Sequence, residues 1–180
     1  LMKALYKNDP QAEIRFWGGD LMQAVGGALV KHYKERAFMG FAEVIMNLRT
    51  ILGFMKFCKK DIEAFQPDAL ILIDYPGFNL RMAKWAKKQG IKVFYYISPT
   101  VWAWKENRIE TIKACVDRMF CILPFEEKFY RDRHYPADFV GHPLLDHIAE
   151  YDPKDLPNVP NDKTIVALLP GSRKQEITKM

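Results

Sequence analysis

Short apolar runs that alternate with helical patterns constrain the fold of this chain more than any other feature. Each run has the length and composition of a β-strand, and amphipathic stretches at helical spacing separate most of them. The predicted strands cover residues 13–17, 69–74, 92–97, 118–123, 138–140 and 164–169. Strands that alternate with helices are typical of α/β proteins, so the pattern predicts a parallel, doubly wound sheet.

The composition bounds the class of protein without choosing a function. With 49% hydrophobic and 27% charged residues, the chain has the make-up of an ordinary soluble globular protein with one sizeable core. Its net charge of +5 favours an anionic partner, which the charge alone leaves open among a nucleotide diphosphate, an anionic membrane surface and nucleic acid. Nucleic acid is disfavoured because the sequence has no base-stacking motif and no concentrated basic stripe. No apolar run approaches the roughly 20 residues that span a bilayer.

The cysteines and histidines show no metal-binding pattern. Cys58, Cys115 and Cys121 are odd in number and lack the spacing of zinc ligands, so we expect reduced thiols in a reducing compartment, by default the cytoplasm. The 4 histidines form no ligand spacing with one another or with these cysteines. The sequence therefore predicts no metal site.

Asp74 is the first candidate for chemistry, because it lies at the end of an apolar run over residues 70–73 that we interpret as a buried parallel strand. A carboxylate at the carboxyl end of such a strand is partly desolvated and suited to general-base work. Pro76 and Gly77 then force a turn before a predicted helix over residues 79–89. The alternative is that Asp74 caps this helix.

The loop after the next strand is unusually aromatic, since Trp102 and Trp104 follow the run 92–97 closely. Loops at the carboxyl ends of parallel strands line the ligand crevice, so the two tryptophans contact either a ligand or the core. Alternation along an extended segment would send them to opposite faces. Asn79 and Ser98 are small polar groups at the same rim, predicted either to hydrogen-bond a ligand or to act as caps. His142 follows a third strand and is either functional or held in a structural hydrogen bond.

The segment 168–173 reads Leu-Leu-Pro-Gly-Ser-Arg, a strand that leads through a small-residue turn into a helix. Such a turn points backbone N–H groups at an anion, and an arginine adds a planar donor fork for phosphate. The alternative is a plain helix start with Ser172 as the cap. Neither Walker-A spacing nor a G-x-G-x-x-G fingerprint is present, which disfavours ATP and NAD.

Residues 44–65 alternate apolar side chains with basic ones. A helix that packs one face on the sheet accounts for part of this pattern. A second interpretation places its exposed face, with Phe54, Lys56, Lys59 and Lys60, on an anionic membrane surface.

Five motifs in order together resemble the lipid-A-disaccharide synthase family, bacterial glycosyltransferases of the GT-B type. They are Ile-Asp-Tyr-Pro-Gly-Phe-Asn-Leu at 73–80, Ser-Pro-Thr-Val-Trp-Ala-Trp at 98–104, Ile-Leu-Pro-Phe-Glu at 122–126, Phe-Val-Gly-His-Pro at 139–143 and Leu-Leu-Pro-Gly-Ser-Arg at 168–173. The resemblance implies a Rossmann-like N-terminal domain of a GT-B enzyme from a Gram-negative bacterium. It also implies no cofactor, no metal, and a cytoplasmic location, peripheral on the inner face of the inner membrane.

The resemblance further implies transfer of 2,3-diacylglucosamine from its UDP derivative to 2,3-diacylglucosamine 1-phosphate, with inversion and release of UDP. Asp74 would be the base. Contacts to substrate would come from Asn79, Ser98, Trp102, Trp104 and His142, and contacts to the diphosphate from Gly171, Ser172 and Arg173. Many members carry an acidic residue where this chain has Gly77, which puts a paired-carboxylate mechanism in doubt here.

The proline-rich stretch 153–162 is the predicted linker between an acceptor-side domain over 1–152 and the start of a nucleotide-sugar domain over 163–180. By the resemblance we expect both domains to be incomplete, the first strand to be missing, and the 180 residues alone to be inactive. The rival interpretations are another GT-B-like UDP-sugar enzyme, either a lipid-linked muropeptide transferase or a UDP-sugar 2-epimerase, and a non-catalytic lipid- or membrane-binding module.

Overall fold

The computed structural model describes residues 1–36 and 48–151 continuously, and beyond them residues 164, 166, 168, 169, 177 and 178. The first part of the chain forms α1 (Met2–Asn8), β1 (Arg15–Gly18), α2 (Asp20–Gln23), β2 (Ala28–His32), a 3-10 turn (Tyr33–Arg36) and α3 (Leu48–Phe65). The second part forms β3 (Ala69–Ile73), α4 (Pro76–Lys88), β4 (Lys92–Tyr96), α5 (Arg108–Cys115), β5 (Arg118–Cys121), α6 (Pro124–Arg131), β6 (Ala137–Phe139) and α7 (Pro143–Ala149).

The strands form two parallel sheets, β1-β2 and β3-β4-β5-β6. In the larger sheet Ile73 pairs with Tyr96, and Tyr96 with Phe120, so neighbouring strands end at about the same level. Within the larger sheet a helix connects each strand to the next one along the chain, which is its parallel neighbour, as the alternating sequence pattern predicts. The prediction of an α/β fold with a Rossmann-like parallel sheet is confirmed.

The core lies between one face of the larger sheet and the helices that connect its strands. Tyr95 and Met119 are fully buried on this face, as are Met82 and Ala86 on α4 and Ile112 on α5, and all belong to one hydrophobic cluster. Helices that connect sequential neighbours in a parallel sheet lie on the same side, because the crossovers share one hand. The predicted helix at 79–89 begins earlier, at Pro76, which is a favourable first helical residue.

The prediction that residues 70–73 form a fully buried strand is wrong for alternate positions. Ile71 and Ile73 are 38% and 40% exposed, whereas Leu72 between them is 5% exposed. Side chains alternate between the two faces of a strand, and in the described residues the helices cover only one face of β3. An apolar run identified the strand correctly and its environment incorrectly.

Strand β2 was not among the predicted strands, because Ala28–His32 offers too short an apolar run to stand out. It pairs in parallel with β1 and completes the smaller sheet. Trp17 in β1 links the smaller sheet to two helices, since its ring lies 5.7 Å from that of Phe57 on α3 and 6.3 Å from that of Phe78 on α4.

The strand predicted at 164–169 falls largely outside the described residues. Those of its members that are described, Thr164, Val166, Leu168 and Leu169, belong to no strand. The proposed linker lies outside the described residues, and so does most of the predicted start of a second domain. The division of the chain into domains therefore stays a prediction.

Candidate functional site

Two loops leave the carboxyl ends of β3 and β4 side by side. We call Asp74 and Tyr75, which lie between β3 and α4, the aspartate loop, and residues 97–105 the tryptophan loop. Both remain tied to the sheet where they begin, because the Asp74 N–H donates to the Tyr96 carbonyl oxygen at 3.0 Å and the Ile97 N–H to that of Phe120 at 3.1 Å. The carboxyl edge of a parallel sheet is where α/β proteins bind their ligands, so this edge is the candidate site.

The backbone at the start of both loops is left-handed. Asp74 has φ 44°, Tyr75 φ 45° and Ile97 φ 66°. Residues other than glycine rarely adopt this region, and holding one there costs on the order of 1 kcal/mol or more. Three such residues at adjacent strand ends therefore mark a place where the surrounding structure imposes the conformation.

The Asp74 side chain is exposed, so the expectation that its carboxylate is partly desolvated is wrong. The left-handed turn carries the side chain away from the strand before the helix begins. The alternative that Asp74 caps the helix is also wrong, because Tyr75 occupies the N-cap position of α4 and no side chain caps it. Within the described part of the chain, the Asp74 carboxylate has no hydrogen bond or ion pair. It is therefore open to a ligand at this edge.

Asn79 holds the aspartate loop from within α4. Its side-chain amide nitrogen donates to the carbonyl oxygens of Ile73 at 3.0 Å and of Asp74 at 2.7 Å. These two bonds use both hydrogens of the amide. The structure thus places Asn79 beside Asp74 and commits its amide donors to two backbone carbonyl oxygens, and it caps no helix end, because Tyr75 is the N-cap of α4.

Ser98 was predicted at the rim of the crevice and instead lies inside, at 5% exposure. Its hydroxyl oxygen is 2.9 Å from the hydroxyl of Tyr130, which is fully buried in α6, and it donates to the Pro99 carbonyl oxygen at 3.1 Å. Burial of a hydroxyl requires such partners. In this structure the Ser98 hydroxyl is therefore not presented to a sugar, and the serine instead fastens the tryptophan loop to α6.

The tryptophan loop is a turn, so the expectation that an extended segment sends its tryptophans to opposite faces is wrong. The N–H groups of Ala103 and Trp104 donate to the Thr100 carbonyl oxygen at 3.1 and 3.3 Å. The turn buries Val101 at 1% exposure and leaves Trp102 and Trp104 42% and 57% exposed. Valine, rather than either tryptophan, is the core anchor of this loop.

The exposed tryptophans lie among other rings and cations. Trp102 meets Phe125 edge to face, with centroids 5.1 Å apart. The Lys105 ammonium lies 4.2 Å and the Arg108 guanidinium 5.5 Å from the centre of the Trp104 ring. Such contacts hold an aromatic ring in a fixed orientation at the surface. The loop therefore offers a basic, aromatic surface that suits a sugar ring or a phosphate.

His142 follows β6 and is the N-cap of α7, where its Nδ1 accepts a hydrogen bond from the Leu144 N–H at 3.2 Å. This bond corresponds to the structural alternative for His142. The Gly141 before it has φ 83°, a left-handed conformation suited to glycine. His142 lies at the end of β6, with one strand, β5, between it and the tryptophan loop. Gly171, Ser172 and Arg173, the predicted diphosphate contacts, lie outside the described residues.

Tyr95 was not among the predicted site residues, although the structure places it beside Asp74. Its ring is fully buried in β4, and its hydroxyl donates to the Asp74 carbonyl oxygen at 2.6 Å. Burial raises the pKa of the Tyr95 hydroxyl well above its ordinary value, with the nearby Asp74 charge acting in the same direction, so the phenol stays protonated as a donor. The available signal was a pair of polar-tipped side chains, Tyr95 and Tyr96, at the end of β4, which does not distinguish one tyrosine from the other.

Glu126 explains the motif at 122–126. Its carboxylate is 1% exposed and accepts a hydrogen bond from the Leu123 N–H at 3.0 Å, which gives a partner to the N–H of the N-cap residue of α6.

Cys121 is fully buried, and burial raises the pKa of its thiol to about 12, so it stays protonated. All three cysteines are buried, and none forms a disulfide among the described residues. No group of metal-ligating side chains occurs among those residues either.

Parallel strands whose carboxyl-terminal loops carry an exposed carboxylate, aromatic rings and cations define an α/β domain with a candidate ligand-binding edge. Comparison with known proteins gives its family. A family model described as Lipid-A-disaccharide synthetase matches residues 1–180, the whole chain. The chain belongs to the lipid-A-disaccharide synthase family.

Individual relatives agree with this assignment. The chain is 47% identical to the lipid-A-disaccharide synthase of Syntrophus aciditrophicus, with 100% of this chain and 48% of the relative aligned. It is 43% identical to lipid-A-disaccharide synthase 1 of Legionella pneumophila, over 99% of this chain and 47% of the relative. For the Coxiella burnetii enzyme the identity is 41%, over 100% and 49%. The chain thus spans about half the length of the curated relatives it matches.

Among the helices that the structure describes, none is long and apolar enough to cross a membrane. The helix α3 is instead amphipathic, with Cys58 and Ile62 buried and Leu52 and Phe57 54% and 46% exposed. Two lysines make cation–π contacts at this helix. The Lys31 ammonium of β2 lies 5.6 Å from the centre of the Phe54 ring on α3, and the Lys59 ammonium of α3 lies 5.8 Å from the centre of the Trp85 ring on α4.

Proposed function

We propose that this chain supplies the acceptor side of an inverting glycosyltransferase that joins UDP-2,3-diacylglucosamine to 2,3-diacylglucosamine 1-phosphate. The products are the lipid A disaccharide 1-phosphate and UDP. Family membership supports the substrates. The single observation that carries the chemistry is the exposed Asp74 carboxylate at the carboxyl edge of the sheet, which is held on a fixed backbone and has no partner among the described residues.

In this reaction Asp74 acts as the general base. Its carboxylate takes the proton from the acceptor hydroxyl as the hydroxyl oxygen attacks the anomeric carbon of the donor. The bond from that carbon to the UDP oxygen breaks, and UDP leaves with the electron pair. Attack from the face opposite the leaving group inverts the anomeric centre. The chemistry asks for no metal or cofactor from these residues.

The tryptophan loop is the proposed sugar contact of the acceptor side. Trp102 and Trp104 present exposed ring faces, and Lys105 and Arg108 lie where they can meet the 1-phosphate of the acceptor. Asn79 and Ser98 serve these loops through the backbone and through α6 rather than by touching sugar. His142 remains a proposed contact through its second ring nitrogen. Gly171, Ser172 and Arg173 remain the proposed contacts of the UDP diphosphate.

We further propose that the domain works on the cytoplasmic face of the inner membrane, because both substrates are diacylated. The exposed Leu52 and Phe57 of α3, with basic residues nearby, suit an anionic leaflet.

Changing Lys56, Lys59 and Lys60 to glutamate should weaken the free energy of binding to anionic vesicles by about 1 kcal/mol per residue, measured by sedimentation with the vesicles. Failure of the unaltered protein to bind such vesicles at low salt would exclude this surface.

The decisive experiment for the reaction is Asp74→Asn in the whole protein. We expect turnover to fall on the order of 10²- to 10⁴-fold, because the amide keeps the volume of the side chain and cannot accept the proton. Donor affinity and the melting temperature should stay unchanged. Steady-state kinetics with both acylated substrates give the result.

Asp68→Asn is the matched control. Asp68 is exposed like Asp74 and lies directly before the other end of the same strand, β3. The same chemical change there should leave turnover at the level of the unaltered protein. Full activity of Asp74→Asn would remove Asp74 from the mechanism. Lipid binding without any turnover in the unaltered whole protein would favour the non-catalytic lipid-binding alternative.

A further inference from the structure

The left-handed start of the aspartate loop is not a local preference of its sequence. Aspartate tolerates this region better than most residues, but the tyrosine that follows it does not, and the two occur in succession at φ 44° and 45°. Gly77 is two residues further on and is not left-handed, so the chain does not use its glycine for this turn. Groups outside the loop must hold it.

Two side chains do so, and both act on the same oxygen. The Tyr95 hydroxyl reaches the Asp74 carbonyl oxygen from the neighbouring strand at 2.6 Å, and the Asn79 amide reaches it from α4 at 2.7 Å. A carbonyl oxygen only accepts, so the direction of both bonds is certain. The Asp74 N–H is bonded as well, to the Tyr96 carbonyl oxygen at 3.0 Å.

These bonds fix both peptide groups of Asp74, and with them the direction of its Cα–Cβ bond. The carboxylate itself is left without a partner among the described residues. A base that must meet a substrate hydroxyl needs this arrangement, because a displacement of about 1 Å at a reacting group can cost on the order of 10²-fold in rate. Tyr95 is rigid, since its ring is fully buried in the core.

We propose that Tyr95 is a positioning residue for catalysis: its buried hydroxyl holds the Asp74 carbonyl oxygen and thereby fixes the left-handed turn that aims the Asp74 carboxylate at the acceptor. Asn79 supports the same turn through its own hydrogen bond to this carbonyl oxygen. This inference rests on the proposed role of Asp74 as the base. It assigns a function to a residue that touches no substrate.

The test is Tyr95→Phe in the whole protein, which removes one oxygen atom and keeps the ring. We expect kcat to fall roughly 10-fold while KM for both substrates stays within about twofold, because binding surfaces are unchanged and only the base is misplaced. Backbone amide exchange at Asp74 and Tyr75 should become faster, since the turn loses one of its bonds.

Tyr135→Phe is the matched control. Tyr135 is also buried, at 7% exposure, and its hydroxyl also donates to a backbone carbonyl oxygen, that of Val116 at 2.9 Å, away from the two loops. Both variants should lower the melting temperature by a similar amount, and only Tyr95→Phe should lower kcat. Equal kcat in the two variants would overturn the proposal.

A double variant separates this inference from the proposed function. If Tyr95 acts through Asp74, adding Tyr95→Phe to Asp74→Asn should lower kcat no further than adding Tyr135→Phe does. A full additional 10-fold loss in that background would overturn the positioning role while leaving Asp74 as the base. Activity of Asp74→Asn at the unaltered level would instead overturn the proposed function. Should Tyr95→Phe fold poorly, Asn79→Ala removes the other hydrogen bond to the Asp74 carbonyl oxygen, and it should likewise lower kcat while leaving KM nearly unchanged.

Discussion

The aspartate loop and the tryptophan loop leave adjacent strands at the same edge, yet their backbones are held in different ways. Hydrogen bonds from side chains to the main chain hold the aspartate loop, through Asn79 and Tyr95. A buried apolar anchor, Val101, and a hydroxyl pair inside the domain, Ser98 with Tyr130, hold the tryptophan loop. In both loops the groups that fix the backbone are distinct from the groups that face solvent.

This difference fits two different proposed tasks, a base in the aspartate loop and a sugar contact in the tryptophan loop. A base needs a fixed direction, and hydrogen bonds give direction because they depend on angle as well as distance. A sugar-binding surface needs area and a steady platform, which the burial of one valine and the packing of exposed rings provide. The largest expected effect in the molecule is accordingly the loss of turnover in Asp74→Asn. Three further variants test this comparison between the two loops, and their expected effects are smaller.

Trp104→Ala should raise KM for the acceptor on the order of 10-fold and change kcat little, because it removes a binding surface used equally in the ground and transition states. The melting temperature should hardly change, since the side chain is 57% exposed. Steady-state kinetics and a thermal melt measure the two quantities. An unchanged KM would return Trp104 to a role as a support for Lys105 and Arg108.

Val101→Ala is the contrasting variant in the same loop. Two lost methyl groups and the remaining cavity should lower the free energy of unfolding by about 2 kcal/mol. A chemical denaturation curve gives this value. If instead Trp104→Ala proves the more destabilising of the two, the assignment of Val101 as the anchor fails and the tryptophan loop is held from its surface.

Gly77→Asp is expected to have the smallest effect and bears on the aspartate loop. A Cβ at Gly77 meets nothing within 4 Å, and the position lies in the first turn of α4. Replacing a helical glycine and adding a negative charge at a helix N-terminus should together raise the free energy of unfolding by about 0.5–1 kcal/mol. Turnover should stay within about twofold, because Asp74 alone is the base in the proposed reaction. A rise of 10-fold or more would show that a second carboxylate contributes.

The sequence determined the order of strands and helices, since apolar runs of strand length and amphipathic helical stretches are local patterns. It also predicted the candidate edge, because parallel strands direct every following loop to one side of the sheet. Asp74 and the two tryptophans were selected as candidates in this way. Five motifs were enough to reveal the family, which the comparison with known proteins then confirmed.

Only the tertiary structure decided which polar groups serve the fold and which face solvent. Ser98 was predicted to lie at the rim, and its partner Tyr130 is 32 residues away. The role of Tyr95 could not be predicted, because its hydroxyl donates to a carbonyl oxygen 21 residues earlier in the chain. Contacts between distant residues leave no periodic trace in a sequence, whereas strands and helices do. The polar partners of a buried hydroxyl are therefore known only once the chain has folded.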